Sequence, residues 1–144
     1  MEKHNTIDNN GKIKISIDFD STLSRKDVQG FVKELVKDGY QIWIVTSRFD
    51  TETALKNGWY WVKTNNKKLY DVAEECGIST HQIKFMCAED KIKYLEGRGF
   101  ILHLDDDAEE LMGILESNDD CKPVNVEHFE WKETIKDILN NYGN

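Results

Sequence analysis

Short apolar runs and amphipathic stretches alternate along this chain from Ile13 to Tyr142, and that alternation restricts the fold more than any other feature. Ile13, Ile15, Ile17 and Phe19 alternate with Lys14, Ser16 and Asp18, which predicts a strand leading into an acidic loop. Val28, Phe31, Val32, Leu35 and Val36 then fall on one helical face. Ser24-Arg25-Lys26-Asp27 ahead of them reads as a capping box, and Gly39 stops the helix. Ile42-Trp43-Ile44-Val45 is apolar on both faces, as a buried parallel strand requires. Further strands are expected at Ile83 to Cys87, Phe100 to Leu104 and Val124 to Val126. Helices are expected around Leu69, Val72, Ala73 and Cys76, stopped at Gly77, and from Lys91 to Glu96. Two more carry Ala108, Leu111, Met112 and Leu115, and Trp131, Ile135, Ile138, Leu139 and Tyr142. The stretch from Ser47 to Asn66 gives no periodic signal.

Strands that alternate with helices form a parallel sheet, here of about five strands, covered by helices on both faces and joined by right-handed crossovers. The expected fold class is therefore a three-layer α/β sandwich. In such sheets ligands bind beyond the carboxyl ends of the strands, near the point where the strand order reverses.

At 144 residues the chain has the length of one domain, 1–144, with 1–12 as a flexible tail. One proline and nine glycines leave no composition shift that marks a linker. The net charge of −8 opposes a sequence-independent coat on long nucleic acid, which needs a basic surface. Cys76, Cys87 and Cys121 form no Cys-x-x-Cys pair, so they read as small buried hydrophobes in a reducing cytoplasm. No secretory segment stands at the polar start, and no apolar run approaches the ~18 residues of a membrane span.

Three strand ends gather the polar groups. The first carries Asp18-Phe19-Asp20-Ser21-Thr22, the second Thr46-Ser47-Arg48 and the fourth Asp105-Asp106-Asp107, while Lys91 opens the helix before that fourth strand. Acids have poor strand propensity and repel one another, so their concentration there needs an offset. A hard divalent cation such as Mg²⁺, which takes carboxylate and carbonyl oxygens, would supply it.

These strings resemble the motifs of the haloacid dehalogenase (HAD) superfamily. Ile15-Ser16-Ile17-Asp18-Phe19-Asp20-Ser21-Thr22-Leu23 is similar to its first motif, an apolar strand followed by Asp-x-Asp-x-Thr. Ile42 to Thr46 is similar to the second, Lys91 to the third, and Ile101-Leu102-His103-Leu104-Asp105-Asp106 to the fourth. The order holds over roughly residues 13–140. The resemblance implies a Rossmann-like core and a Mg²⁺-dependent phosphatase that hydrolyses phosphomonoesters. Asp18 would attack phosphorus and become an aspartyl-phosphate. Asp20 would act as general acid and then base. Thr46 and Lys91 would stabilise the phosphoryl group, with Ser47 and Arg48 close to the substrate. Asp18, the Asp20 carbonyl, and Asp105 or Asp106 would hold the metal.

Two positions depart from the pattern. Ser21 stands where the family usually has glycine, and Lys84 and Lys93 lie near Lys91. Asp107 reads as a helix cap and His103 as a core histidine, and Arg48 fits a surface ion pair as well as a substrate contact. Trp59 and Trp61 suit packing, or stacking on a base or sugar. About twenty residues separate the first two motifs, too few for an inserted cap domain. An open site fits a phosphorylated small molecule, covered or not by a second copy in a homo-oligomer, or an exposed phosphate on a macromolecule. Alternatives are a polynucleotide 3′-phosphatase or nucleotidase, and a non-catalytic phosphate- or partner-binding domain. A phosphorelay receiver fits poorly, because its phosphorylated aspartate ends the third strand, whereas Asp18 ends the first.

Overall fold

The computed structural model describes residues 11–142, so all but the last two residues of the expected tail 1–12 lie outside the described residues. The first apolar run forms β1 (Lys14–Ile17). It is followed by α1 (Lys26–Lys37), β2 (Gln41–Thr46), α2 (Thr51–Lys56) and α3 (Trp61–Cys76). Then come β3 (Ile83–Phe85), the single turn α4 (Ile92–Leu95), β4 (Phe100–Asp105), α5 (Ala108–Glu116), β5 (Lys122–Asn125) and α6 (Trp131–Tyr142).

The five strands form one sheet in the order β3-β2-β1-β4-β5, and every pairing is parallel. The α/β three-layer expectation, Rossmann-like in strand order, is thus met. Because parallel strands are covered on both faces, alternate residues of one strand enter opposite layers. Along β2, Ile42 and Ile44 join a core with Phe31, Leu69 and Trp131 from α1, α3 and α6. Val45 joins a second core with Leu95 and Ile114 from α4 and α5, against which Trp43 packs. Chain order runs outward from β1 to β3 and then restarts on the other side at β4. The reversal between β1 and β4 opens a crevice at their carboxyl ends.

Several expectations fail for local reasons. Ser24 does not cap α1: Arg25 holds that position, the Ser24 hydroxyl accepts from Ser21 N–H at 3.1 Å, and Asp27 pairs with Arg25. Met112 and Leu115 point outward, while Leu111 and Ile114 form the buried stripe of α5. The unread stretch folds as α2 and the first turns of α3; Trp59 packs edge-on against Phe49 at 5.1 Å, and Trp61 is exposed. Its polar residues serve caps and loop contacts, so they carry no apolar period. Cys76 and Cys121 are buried as expected, but Cys87 is only half-buried. Among the described residues no helix is long and apolar enough to cross a membrane.

Candidate functional site

The β1–β4 register sets Ile17 beside Leu104, and the Asp18 N–H donates to the Leu104 carbonyl at 2.9 Å. Asp18 therefore leaves the sheet next to Asp105. Below them, Lys91 enters from the residue before α4 with its side chain 2% exposed. Its ammonium donates to Asp18 Oδ1 and to Asp105 Oδ2, both at 2.7 Å. Lys84 and Lys93, the rival lysines, stand elsewhere: one over the Tyr94 ring, the other paired with Glu89.

A buried ion pair is stable only when the remaining lone pairs find donors. Asp105 meets that condition completely. Oδ1 accepts from the Asp106 and Asp107 N–H groups at 2.8 and 3.1 Å, and Oδ2 from Lys91 and His103 Nε2. Against the cost of burial, His103 and Lys91 hold its carboxyl well below the usual carboxylate range. His103 extends the chain inward: Ser16 Oγ lies 2.7 Å from its Nδ1. Burial pulls this imidazole below its usual pKa against the Asp105 carboxylate, and the Nε2–H tautomer is the one that donates to Asp105 and lets Nδ1 accept from Ser16. The sequence reading of His103 as a core histidine is correct, and its ring also orients a site carboxylate.

Asp18 has fewer donors. Burial pushes its carboxyl up to about 8, with Lys91 opposing and the nearby Asp105 charge adding to the rise. The same two carboxylates raise Lys91 despite its burial, so the ammonium stays charged. Thr22, wholly buried, sets its hydroxyl 3.4 Å from both Asp18 Oδ2 and Asp106 Oδ1. Asp18, Asp105 and Asp106 each bring an oxygen within 4.8 Å of the others. Three carboxyl groups share one ammonium here, and hard oxygen donors at this spacing fit a divalent cation. Asp105 has spent its lone pairs on hydrogen bonds, so Asp18 and Asp106 are the oxygens with room for direct ligation. Asp107 accepts from the Glu109 and Glu110 N–H groups and caps α5, as the sequence suggested.

The second strand end lies beside this cluster. The Thr46 hydroxyl is buried and accepts from Arg48 N–H at 3.2 Å, which leaves its own proton to donate. Ser47 Oγ reaches Glu110 Oε2 at 3.4 Å, and Glu110 Oε1 accepts from Lys91 N–H. Three backbone bonds brace this loop: Met86, Cys87 and Ala88 N–H donate to the carbonyls of Thr46, Arg48 and Ser47. To do so, Cys87 and Ala88 adopt φ of 52° and 69°, a left-handed conformation that L-residues reach at a cost.

Asp20 stands apart from the carboxylate cluster. Its side chain is exposed and accepts two bonds from Arg48, Nε at 2.9 Å and Nη2 at 2.7 Å. Arg48 thus forms an ion pair, one of the two roles that the sequence suggested for it. Ser21 follows with φ 59°, the conformation for which glycine is the default, and its N–H is tied to Ser24 Oγ. Thr22, Glu110 and Asn66, which holds Arg48, were not singled out as site residues. Only Thr22 left a sequence signal, as the last residue of Asp-x-Asp-x-Thr. A cavity of about 440 Å³ begins at Ile101 and Lys122, the opposite ends of β4 and β5, and includes none of these groups.

A scan of protein-family models, a search of curated proteins and a search of solved structures found no match to this chain.

Proposed function

We propose that the protein is a Mg²⁺-dependent phosphomonoesterase working through an aspartyl-phosphate on Asp18, the activity that the HAD-like motifs imply. One observation carries the reading: the Lys91 ammonium lies buried between Asp18 and Asp105, with Asp106 beside them, at the crevice of a parallel sheet. A structural ion pair needs one carboxylate. A third acid and a nucleophile with an unspent oxygen suit a site that receives a dianion and a cation together.

In this reading an Asp18 oxygen bonds to phosphorus as the ester P–O bond breaks, and the departing oxygen takes a proton from Asp20. Asp20, now a carboxylate, removes a proton from water. The hydroxide bonds to phosphorus, the Asp18–phosphorus bond breaks, and Asp18 returns as carboxylate with free phosphate released. Lys91 and the Thr46 hydroxyl meet charge on the phosphoryl oxygens, where removing one such donor costs about 10²–10³ in rate. Mg²⁺, held by Asp18, Asp106 and the Asp20 carbonyl, would offset carboxylate repulsion and polarise the phosphoryl group. Asp105 would contribute charge and the fixed position of Lys91.

Nitrophenyl phosphate hydrolysis tests the proposal. Release of nitrophenolate should need Mg²⁺, stop in chelator, and be lost in Asp18→Asn. Binding of phosphate without turnover would favour the non-catalytic alternative.

A further inference from the structure

The Arg48 guanidinium makes four hydrogen bonds, and only two go to Asp20. Its Nη1 donates to the Asn65 carbonyl at 2.8 Å and to Asn66 Oδ1 at 3.3 Å. Its guanidinium also lies 5.0 Å over the Phe19 ring. Asn66 is 1% exposed, deep in α3, where a short amide is a poor helix former and an expensive group to bury. Its cost is met by the loop after β2: Nδ2 donates to the Phe49 carbonyl at 3.0 Å and to Thr51 Oγ1 at 3.1 Å. One side chain thus ties residues 48, 49 and 51 to α3.

We infer that Asn66 is a positioning residue for catalysis: it fixes Arg48, which holds Asp20 through both oxygens as a carboxylate and through one oxygen when the other carries the proton to be donated. The inference rests on the phosphatase reading for what Asp20 does, and on geometry alone for what holds Asp20. The Asp20 side chain is 57% exposed, so without the fork it would sample several rotamers in water. Proton transfer requires the acid within hydrogen-bond reach of the leaving oxygen, so a lost clamp slows the steps that use Asp20. Arg48 is the link. Removing it should make Asn66 irrelevant to those steps.

The leaving group separates this role from a general loosening of the fold. An alkyl oxygen needs its proton and a nitrophenolate does not. In single turnovers, Asn66→Ala should slow phosphoryl transfer from an alkyl phosphate about tenfold or more, a fraction of the ~10²–10⁴ that acid catalysis supplies. Transfer from nitrophenyl phosphate should stay within about twofold. Adding Asn66→Ala to Arg48→Ala should change the alkyl rate no further, the non-additivity expected of residues in one network. Arg48→Ala leaves the buried Asn66 amide in place, should lower the alkyl-to-aryl ratio as Asn66→Ala does, and serves if Asn66→Ala does not fold. Equal slowing of both substrates by Asn66→Ala, or an unchanged alkyl-to-aryl ratio in Arg48→Ala, overturns the inference. The Arg48 Nε–H resonance gives a readout independent of turnover. It should be protected from exchange in the wild type and exposed in Asn66→Ala, and a signal unchanged by that substitution overturns the lever. A wild type inactive on both esters would remove the phosphatase reading, and the resonance would still judge the clamp.

Discussion

Lys91 and Asp18, 73 residues apart in the chain, meet at 2.7 Å inside the protein, and Asp105 shares the same ammonium. The shared cation lets two carboxylates sit together in a buried place at the end of the central strands. It also leaves Asp18 under-compensated, and the consequences can be measured.

The first concerns pH. The folded carboxyl of Asp18 is raised from its ordinary value of 3.8 to about 8, so the metal-free native state keeps a proton that the unfolded chain has lost. Stability from this group is therefore full below about pH 4 and declines as pH rises toward 8. Asp105 has the opposite sign: its lowered pKa supports the fold above its unfolded value, and that support is lost as pH falls. In chelator, Asp18→Asn should match wild type near pH 4 and melt about 5 °C or more higher at pH 8. A gap that does not widen with pH would show that the Asp18 charge is not strained.

Lys91 supplies the second. Its removal leaves the buried Asp105 carboxylate beside Asp18 without its counter-charge, a loss of about 3–5 kcal/mol for a broken buried pair. Lys91→Met keeps most of the volume, so denaturant unfolding of that variant isolates the charge. Mg²⁺ should return part of the stability. A variant as stable as wild type in chelator would contradict the bridge.

Asp105 and Asp106 should separate in a magnesium titration followed by melting temperature. Asp106→Asn should keep its metal-free stability and lose the Mg²⁺-dependent rise, since ligand binding to the native state is what raises it. Asp105→Asn should lose about 3 kcal/mol without metal, because four hydrogen bonds converge on that carboxylate. The reverse pattern would make Asp105 the direct ligand.

The layered fold was legible because the central strands of a parallel sheet are buried on both faces and each helix on one, which leaves distinct periods in the sequence. The acids at the β1 and β4 ends were legible for a related reason: Asp18 and Asp105-Asp106 end apolar runs, and such positions converge at a sheet crevice. Asn66 and Glu110 left no such trace. An asparagine or glutamate on a helix is ordinary in sequence, and its role arises from a partner 18 or 63 residues away that only folding supplies. The capping box failed because a Ser-x-x-acid string is satisfied equally by a turn, and here Ser24 closes the turn through Ser21. Met112 and Leu115 misled because apolarity alone does not say which face of a helix meets the sheet.

The strained brace at Cys87 and Ala88 makes the fourth prediction. A left-handed L-residue costs ~1–2 kcal/mol, part of which glycine returns as unfolded-state entropy. Ala88→Gly should therefore stabilise the protein by up to about 1 kcal/mol, or roughly 2–4 °C. An unchanged or lower melting temperature would show that the φ of 69° carries no recoverable strain.

The central claim is that Asp18 carries the phosphoryl group between substrate and water. Mixing the enzyme with nitrophenyl phosphate and Mg²⁺, quenching in acid within the first turnover, and weighing the intact chain tests it directly. The account predicts a chain heavier by one phosphoryl group, mapped to the peptide containing Asp18 and absent from Asp18→Asn. Substrate consumed with no phosphorylated chain at any quench time, or a phosphoryl group on another residue, would contradict it.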